Sequence, residues 1–450
     1  MGLVNIAPKL APEGYERNFA ELSPRLTSQQ ALTEAARCLY CFDAPCIQAC
    51  PTRIDVPGFI RKISSANLKG SARLILSANV LGESCGRVCP TEVLCEGACV
   101  LNGTGAKPVE IGRLQRYAVD YALDRGLRLF ERGAPNGRRV ACIGAGPASL
   151  ACATELAQWG YEVAIYDRQA LAGGLNTYGI AAYKTRAQDS LREVKMVENL
   201  GVRFHQNVVV GRDVALAQLE KNFDAILIAV GLGETWDLTL EGEALGGVIG
   251  AMAFIERTKT LPFEQVDVGR RIAVIGAGNT AIDVVTAARR LGAEIVYLIY
   301  RRDENSMPAF AYEYELAKKD GVAFLWQTQP VRILGNNGSV SGLECVRTRT
   351  LGKGRSAHVE GVPNSQFVLE IDMVVKAVGQ RPVTDFLGDM RGIEIRSGQV
   401  VVNPESHQTG NPKYFAAGDC VNGGKEVVDA VAEGMRAARG IHQSLSAKKT

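Results

Sequence analysis

Eight of the chain's twelve cysteines fall between Cys38 and Cys99. Their spacing is Cys38-x2-Cys41-x4-Cys46-x3-Cys50-Pro51, then Cys85-x3-Cys89-Pro90, then Cys95-x3-Cys99. A chain of 450 residues with 46% hydrophobic content buries a core without covalent staples. Dense local cysteine in such a chain therefore reads as a ligand set for metal or cluster, not as disulfides. Zinc favours two paired Cys-x2-Cys hooks, and only one such hook is present. At about 150 residues per domain the length suggests three domains. The net charge is +3 and no run of Lys or Arg forms a stripe, which argues against a nucleic-acid or membrane-surface binder. No apolar run reaches the ~18 residues of a membrane span. The N-terminal MGLVNIAPKL has no basic start, apolar core or cleavage site, and Ile6 argues against myristoylation. The expected location is cytoplasmic.

The first cysteine run, ending in Cys50-Pro51, resembles the bacterial ferredoxin run, whose last cysteine ligates the other cluster of a pair. On that logic two [4Fe–4S] clusters are expected. Cys38, Cys41 and Cys46 hold one and Cys50 crosses to the second. The later cysteines supply one ligand to the first cluster and the remainder to the second. Residues Glu110–Arg125 have helical periodicity, with Ile111, Leu114 and Ala118 on one stripe. Gln115 shares that stripe, a polar residue on a face that should be buried. It is either an amide bonded to backbone or the eighth ligand, with Cys85 as the alternative.

Downstream the chain turns to nucleotide chemistry. Strand Val140–Ile143 leads into Gly144-Ala-Gly146-Pro-Ala-Ser149 and a helical run, and a second strand, Tyr161–Tyr166, ends in Asp167. Strand, glycine turn, helix, strand and acid form the dinucleotide fingerprint in its required context. Glycines let the backbone approach the pyrophosphate, the helix N-terminus favours its charge, and the acid binds a ribose hydroxyl. The unit recurs: Arg271–Ile275, then Gly276-Ala-Gly278-Asn-Thr-Ala281, a helix, and Glu294–Tyr300 ending in Arg301-Arg302.

Surroundings distinguish the two sites. Gly173-Gly174-Leu175 is a turn able to pass close to a flavin, and Tyr414–Cys420 is a strand ending in Gly418-Asp419. Strands Ala225–Gly231 and Met373–Gly379 end alike and bracket the second unit, so a flavin domain split by an inserted nicotinamide domain is expected. The four histidines, His205, His358, His407 and His442, stand in no metal spacing. Cys142, Cys152, Cys345 and Cys420 read as core residues. No Cys-x-x-Cys pair flanks the flavin turn, which disfavours thioredoxin-reductase chemistry. No catalytic residue is assigned.

A nicotinamide gives two electrons as hydride, a cluster takes one at a time, and a flavin converts between them. With no substrate barrel left to assign, the electrons are expected to leave to a partner. The cysteine-rich start, the GAGPAS flavin turn and the GAGNTA nicotinamide turn together resemble the glutamate synthase small-subunit family, including the electron-input subunit of bacterial dihydropyrimidine dehydrogenase. Ile111-Gly112-Arg113-Leu114-Gln115 is similar to the IGxLQ of the pyrimidine enzymes, where that Gln is a ligand. Glutamate synthase subunits tend to have a stretch ending in Glu there.

The resemblance implies an α/β chain with two Rossmann-like domains, one inserted in the other, preceded by an α-helical iron–sulfur domain. The boundaries are 1–130 for the cluster helices, 131–235 and 380–450 for FAD, and 236–379 for NAD(P)H. It further implies cluster one on Cys38, Cys41, Cys46 and Cys99, and cluster two on Cys50, Cys89, Cys95 and Gln115, with Cys85 spare. FAD contacts fall on Gly144, Ala145, Gly146, Pro147 and Ala148; on Asp167, Arg168, Gly174 and Leu175; and on Gly418, Asp419, Glu426 and Val427. Lys184 stands where the family commonly has an Arg on the flavin. The nicotinamide falls on Gly276, Ala277, Gly278, Asn279 and Thr280, on Arg301 and Arg302, and on Ala377, Val378 and Gly379. The implied partner is an FMN- and iron–sulfur-containing subunit that reduces uracil or thymine. Alternatives are the small subunit of glutamate synthase, or an electron-transfer protein serving several acceptors. Arg301-Arg302 favours a 2′-phosphate, while Asp303 and Glu304 beside them leave NADH open.

Overall fold

A computed structural model describes residues 5–352, 358–388 and 390–447. The first four residues of the N-terminal reading lie outside it. The chain parts into two compact units. The inserted unit comprises Met1–Leu22, Tyr178–Arg186 and Gly233–Arg381; the outer unit comprises Ser23–Thr177, Ala187–Leu232 and Pro382–Thr450.

In the outer unit the five strands Tyr414–Ala416, Ala225–Ile228, Arg139–Ile143, Glu162–Tyr166 and Arg203–His205 lie side by side in that order, all parallel. The central strand Arg139–Ile143 (RVACI) is buried after its first residue, as a parallel strand covered on both faces must be. One face carries helices Pro147–Gln158 and Val427–Ala447, packed through Val140, Leu150, Leu156, Val431 and Ile441. Val80 and Leu81, from the cysteine-rich segment, join the same core. That shared core explains why the cluster helices and the flavin layers form one unit where the sequence reading drew two domains.

The cluster helices pack around Phe59, Ile60, Ile63, Ile75, Leu76 and Leu114. Helix Ser28–Ala35 opens on a capping box, in which Thr27 Oγ1 accepts from the Gln30 N–H at 3.2 Å and Gln30 Oε1 from the Thr27 N–H at 2.9 Å. Helix Ile111–Asp124 forms within a residue of expectation, with Ile111, Leu114, Gln115, Ala118 and Ala122 buried.

The inserted unit has a second parallel sheet, in the order Val248–Gly250, Met373–Lys376, Arg271–Ile275, Ile295–Ile299 and Ala323–Leu325. An antiparallel layer that the sequence reading did not anticipate packs beside it: Thr328–Asn336 pairs with Ser339–Leu351, which also pairs with Phe367–Leu369. Its turn has positive φ at Asn337 (50°) and Gly338 (79°), the Asn-Gly signature of a tight hairpin. The segment before residue 23, expected with the cluster helices, instead belongs to this unit. Phe19 stacks on Phe263 at 4.0 Å between ring centroids, and Tyr15 and Phe19 are buried.

Candidate cofactor and electron-transfer sites

The eight clustered cysteines sort into two hollows. Cys38, Cys41, Cys46 and Cys99 line one, with Leu39, Val56, Ile60 and Ile111. Cys50, Cys85, Cys89, Cys95 and Gln115 line the other, with Ile54, Asn79, Thr91, Leu94 and Val428. Cys46 lies inside helix Pro45–Ala49, whereas Cys50 has extended backbone (ψ 121°) ahead of Pro51. A residue before proline is driven out of helix, and that break sends Cys50 to a different hollow from Cys46.

Burial pushes the Cys46 thiol up to about 11 and raises those of Cys38 and Cys95 as well. Cys89 is raised first by its hydrogen bond with Cys85 and then by burial. Buried thiols of this kind ionise only if a cation repays the desolvation. Among the described residues no three His, Cys, Asp or Glu side chains converge tightly enough to hold a single ion. Four thiolates on one zinc would stand roughly 3.8 Å apart, given a Zn–S bond of about 2.3 Å. The wider spacing fits a body larger than one ion, as a four-iron cluster is. Gln115 is 7% exposed; its Nε2 donates to the Gly82 carbonyl at 2.8 Å, which leaves Oε1 as the ligating atom on offer.

Helix Gly82–Val88, which carries Cys85 and leads into Cys89, is fixed at its start by the buried Glu193. That carboxylate accepts the N–H groups of Glu83 and Ser84 at 2.8 and 3.0 Å. Desolvation pushes Glu193 up to about 7. Close approach of Gly86 to the Arg116 backbone then seats this helix on Ile111–Asp124.

At the first glycine turn Gly144 has φ +98°, and a Cβ there would stand 2.2 Å from the Ala229 carbonyl oxygen. Gly174 (φ +56°) approaches Gly146 so closely that its Cβ would lie 2.7 Å from the Gly146 Cα. Pro147 opens helix Pro147–Gln158, whose free N–H groups and dipole favour a pyrophosphate. Asp167 accepts the Ala145 and Gln169 N–H groups at 2.6 and 2.7 Å, so it braces the turn from within. Arg168 and Leu175 are exposed.

Gly418 (φ +81°) places Asp419 at the head of helix Asp419–Asn422, and burial pushes that carboxyl up to about 6. The sequence reading missed Glu433. It accepts the Gly418 N–H at 2.8 Å and the Asn422 amide at 3.2 Å. Its signal was present, a lone acid among the buried Val431, Ala432, Ala437 and Ala438 of helix Val427–Ala447. Glu426 and Val427 immediately precede and open that helix.

The second turn repeats the first. Gly276 has φ +128°, and a Cβ there would meet the Ala377 carbonyl oxygen at 2.2 Å. This brings Ala377, Val378 and Gly379 to the turn formed by Gly276, Ala277 and Gly278. Asn279 heads helix Asn279–Arg290 and accepts the Phe310 N–H at 3.0 Å, while Thr280 is exposed. Arg301 is exposed beyond strand Ile295–Ile299. Neither neighbouring acid is spent on it: Asp303 caps the Ser306 N–H at 2.9 Å and Glu304 accepts the Tyr314 hydroxyl at 2.7 Å.

Lys184 departs from expectation. Its Nζ stands 2.7 Å from Asp283 and 2.5 Å from Glu313, all three nearly buried in the inserted unit. Its charge is consumed there and is not presented to a flavin, because residues 178–186 leave the outer unit to pack on helices Asn279–Arg290 and Ala311–Lys319. The Tyr183 hydroxyl donates to the same Asp283 at 2.7 Å.

Residues 15–127 match the family model described as dihydropyrimidine dehydrogenase domain II, 4Fe-4S cluster, and residues 138–434 that of pyridine nucleotide-disulphide oxidoreductases. The chain is 38% identical over 444 residues to the glutamate synthase [NADPH] small chain of Escherichia coli K12, covering 94% of this chain and 93% of that one. It is 35% identical over 425 residues to the NAD-dependent dihydropyrimidine dehydrogenase subunit PreT of the same organism, covering 94% and 97%. In fold alone it is similar to Mycobacterium tuberculosis FprA in complex with NADPH, with 20% identity, a TM-score of 0.58, and coverage of 69% of this chain and 85% of that one. No described helix is long and apolar enough to cross a membrane. The chain belongs to the pyridine nucleotide-disulphide oxidoreductase family, within the group of NAD(P)H-dependent flavin and iron–sulfur electron-transfer subunits that includes the glutamate synthase small chains and PreT.

Proposed function

We propose that this chain is the electron-input subunit of a dihydropyrimidine dehydrogenase, taking hydride from NAD(P)H and delivering single electrons to an FMN- and iron–sulfur-containing partner that reduces uracil or thymine. The observation that carries this reading is Gln115, buried and lining one hollow with Cys50, Cys89 and Cys95, its amide nitrogen tied to Gly82. An amide in that place resembles the pyrimidine enzymes more than the glutamate synthases. On this reading Cys38, Cys41, Cys46 and Cys99 hold one [4Fe–4S] cluster, and Cys50, Cys89, Cys95 and Gln115 a second. The FAD, when bound, supplies the exchange between hydride and single electrons. The chain's own part is positional: Gly144, Gly146 and Gly174 admit the diphosphate, while Glu433 and Asp419 shape the opposite wall.

The 38% identity to a glutamate synthase small chain favours a second reading, delivery to a glutamate-forming large subunit. Native purification under anaerobic conditions separates the two. An FMN partner with NAD(P)H-dependent uracil reduction, absent from the chain alone, is expected. A large subunit converting glutamine and 2-oxoglutarate, with no uracil reduction, would establish the second reading. Stoichiometric zinc without iron would defeat both.

A further inference from the structure

The second hollow holds one potential ligand more than a four-iron cluster needs. Cys85 and Cys89 are four residues apart along helix Gly82–Val88 and its C-cap, so their side chains lie one above the other. Cys85 is 3% exposed, and the adjoining Asn79 is fully buried. The orientation of that amide is fixed. Asn79 Oδ1 accepts the Leu81 N–H at 3.0 Å, so Nδ2 is the group that donates to Cys85 Sγ at 3.1 Å. Cys85 is therefore an acceptor from Asn79, and it shares a further hydrogen bond with Cys89. A Cys89 bound to iron is a thiolate with no proton to give. In that pair the proton belongs to Cys85.

We propose that Cys85 is not a ligand but a protonated thiol that donates S–H to the iron-bound Cys89 sulfur and so raises the reduction potential of the second cluster. The proposal rests on the reading that Cys50, Cys89, Cys95 and Gln115 hold that cluster. An electron arriving on a cluster adds negative charge to its sulfurs, and a hydrogen bond to a ligand sulfur stabilises the reduced state. A neutral amide ligand in place of a fourth thiolate works in the same direction. Together they make this the more easily reduced cluster of the two.

The test is a potentiometric titration, monitored by electron paramagnetic resonance, of the full anaerobic chain and of C85A, C85V and C85S. C85A and C85V should keep their iron and FAD, yet one cluster should become harder to reduce. The expected shift is on the order of tenfold in its one-electron equilibrium, ~59 mV downward. The other cluster should not move. C85S, which restores a donor, should recover most of the shift. Unchanged potentials in both apolar variants would overturn the proposal while leaving the ligand assignment standing. Loss of one cluster from both would make Cys85 a ligand and overturn it too. Retention of both clusters in C89A would overturn the ligand assignment itself, and the proposal with it.

Discussion

Lys184→Met tests the reassignment of that lysine from flavin contact to buried ion triad. The wild-type Nζ is 2.7 Å from Asp283 and 2.5 Å from Glu313, with side-chain exposures of 10%, 9% and 4%. Methionine fills most of the volume and removes the only cation of this triad. Breaking a buried pair by deleting one partner costs about 3–5 kcal/mol, because the remaining charge is left without compensation. The cost should depend on pH. Burial alone would lower the Lys184 pKa, but Asp283 and Glu313 outweigh it and raise it. Its stabilisation is thus fully present below the unfolded value of about 10.5 and constant from pH 5 to 9. Glu313 is raised by burial, and its Oε2 has no hydrogen-bond partner. In the variant this acid can take up a proton at low pH, a relief that disappears as pH rises past about 4.5 and through its higher folded value. The deficit should therefore be small near pH 5 and approach 3–5 kcal/mol by pH 8. Urea unfolding followed by tryptophan emission reads this directly, since Trp236 and Trp326 both lie in the inserted unit. An unchanged midpoint at pH 8 would refute the triad. Loss of FAD at unchanged stability would restore the flavin contact.

Gln115→Leu should lose or convert one cluster and spare the other, read as iron content and paramagnetic resonance; eight irons with wild-type spectra would remove Gln115 from the ligand set. Arg301→Ala/Arg302→Ala should lower kcat/KM for NADPH by about tenfold to a hundredfold, the value of one charge-assisted contact to a 2′-phosphate, and leave NADH unchanged. An equal loss with both nucleotides would show that these arginines do not read the phosphate. Glu433→Ala leaves the Gly418 N–H and the Asn422 amide without their acceptor, at a cost of about 1.5–3 kcal/mol. FAD should be released at a lower temperature on a thermal ramp; a wild-type release temperature would make Glu433 incidental to the site.

What was legible in the sequence was local. Gly144 and Gly276 stand out because a strand, a turn at positive φ and a helix start fall within a dozen residues. The carbonyl that forbids a side chain there, from Ala229 or Ala377, is itself at the end of a readable apolar strand. The split between Cys46 and Cys50 was readable because Pro51 alone enforces it. What escaped was set by distant partners. Residues 1–22 look like a prelude to the cluster helices, yet Phe19 finds Phe263. Lys184 looks like a flavin contact because its neighbours Gly173 and Gly174 belong to the flavin turn, and only Asp283 and Glu313, a hundred and more residues on, claim its charge. The strands of residues 328–369 are partly exposed, and the first carries Pro330, so neither alternation nor a buried run marks them.

On the proposed assignment the two hollows are not equivalent, and the difference orders the flow of electrons. Val427, in the segment expected against FAD, is followed directly by Val428, which lines the hollow of Cys50, Cys89, Cys95 and Gln115. One helix start thus serves both the flavin wall and the second hollow, with no intervening layer. The other hollow opens where Leu39 is 60% exposed and Phe42 fully so, on the loop between Cys38 and Cys46. Buried walls towards the flavin keep water from the point of entry, while an apolar surface at the far hollow is what a second protein must cover to receive the electron. The Cys-Pro break at residues 50–51 is what allows one short cysteine run to serve both ends of that path.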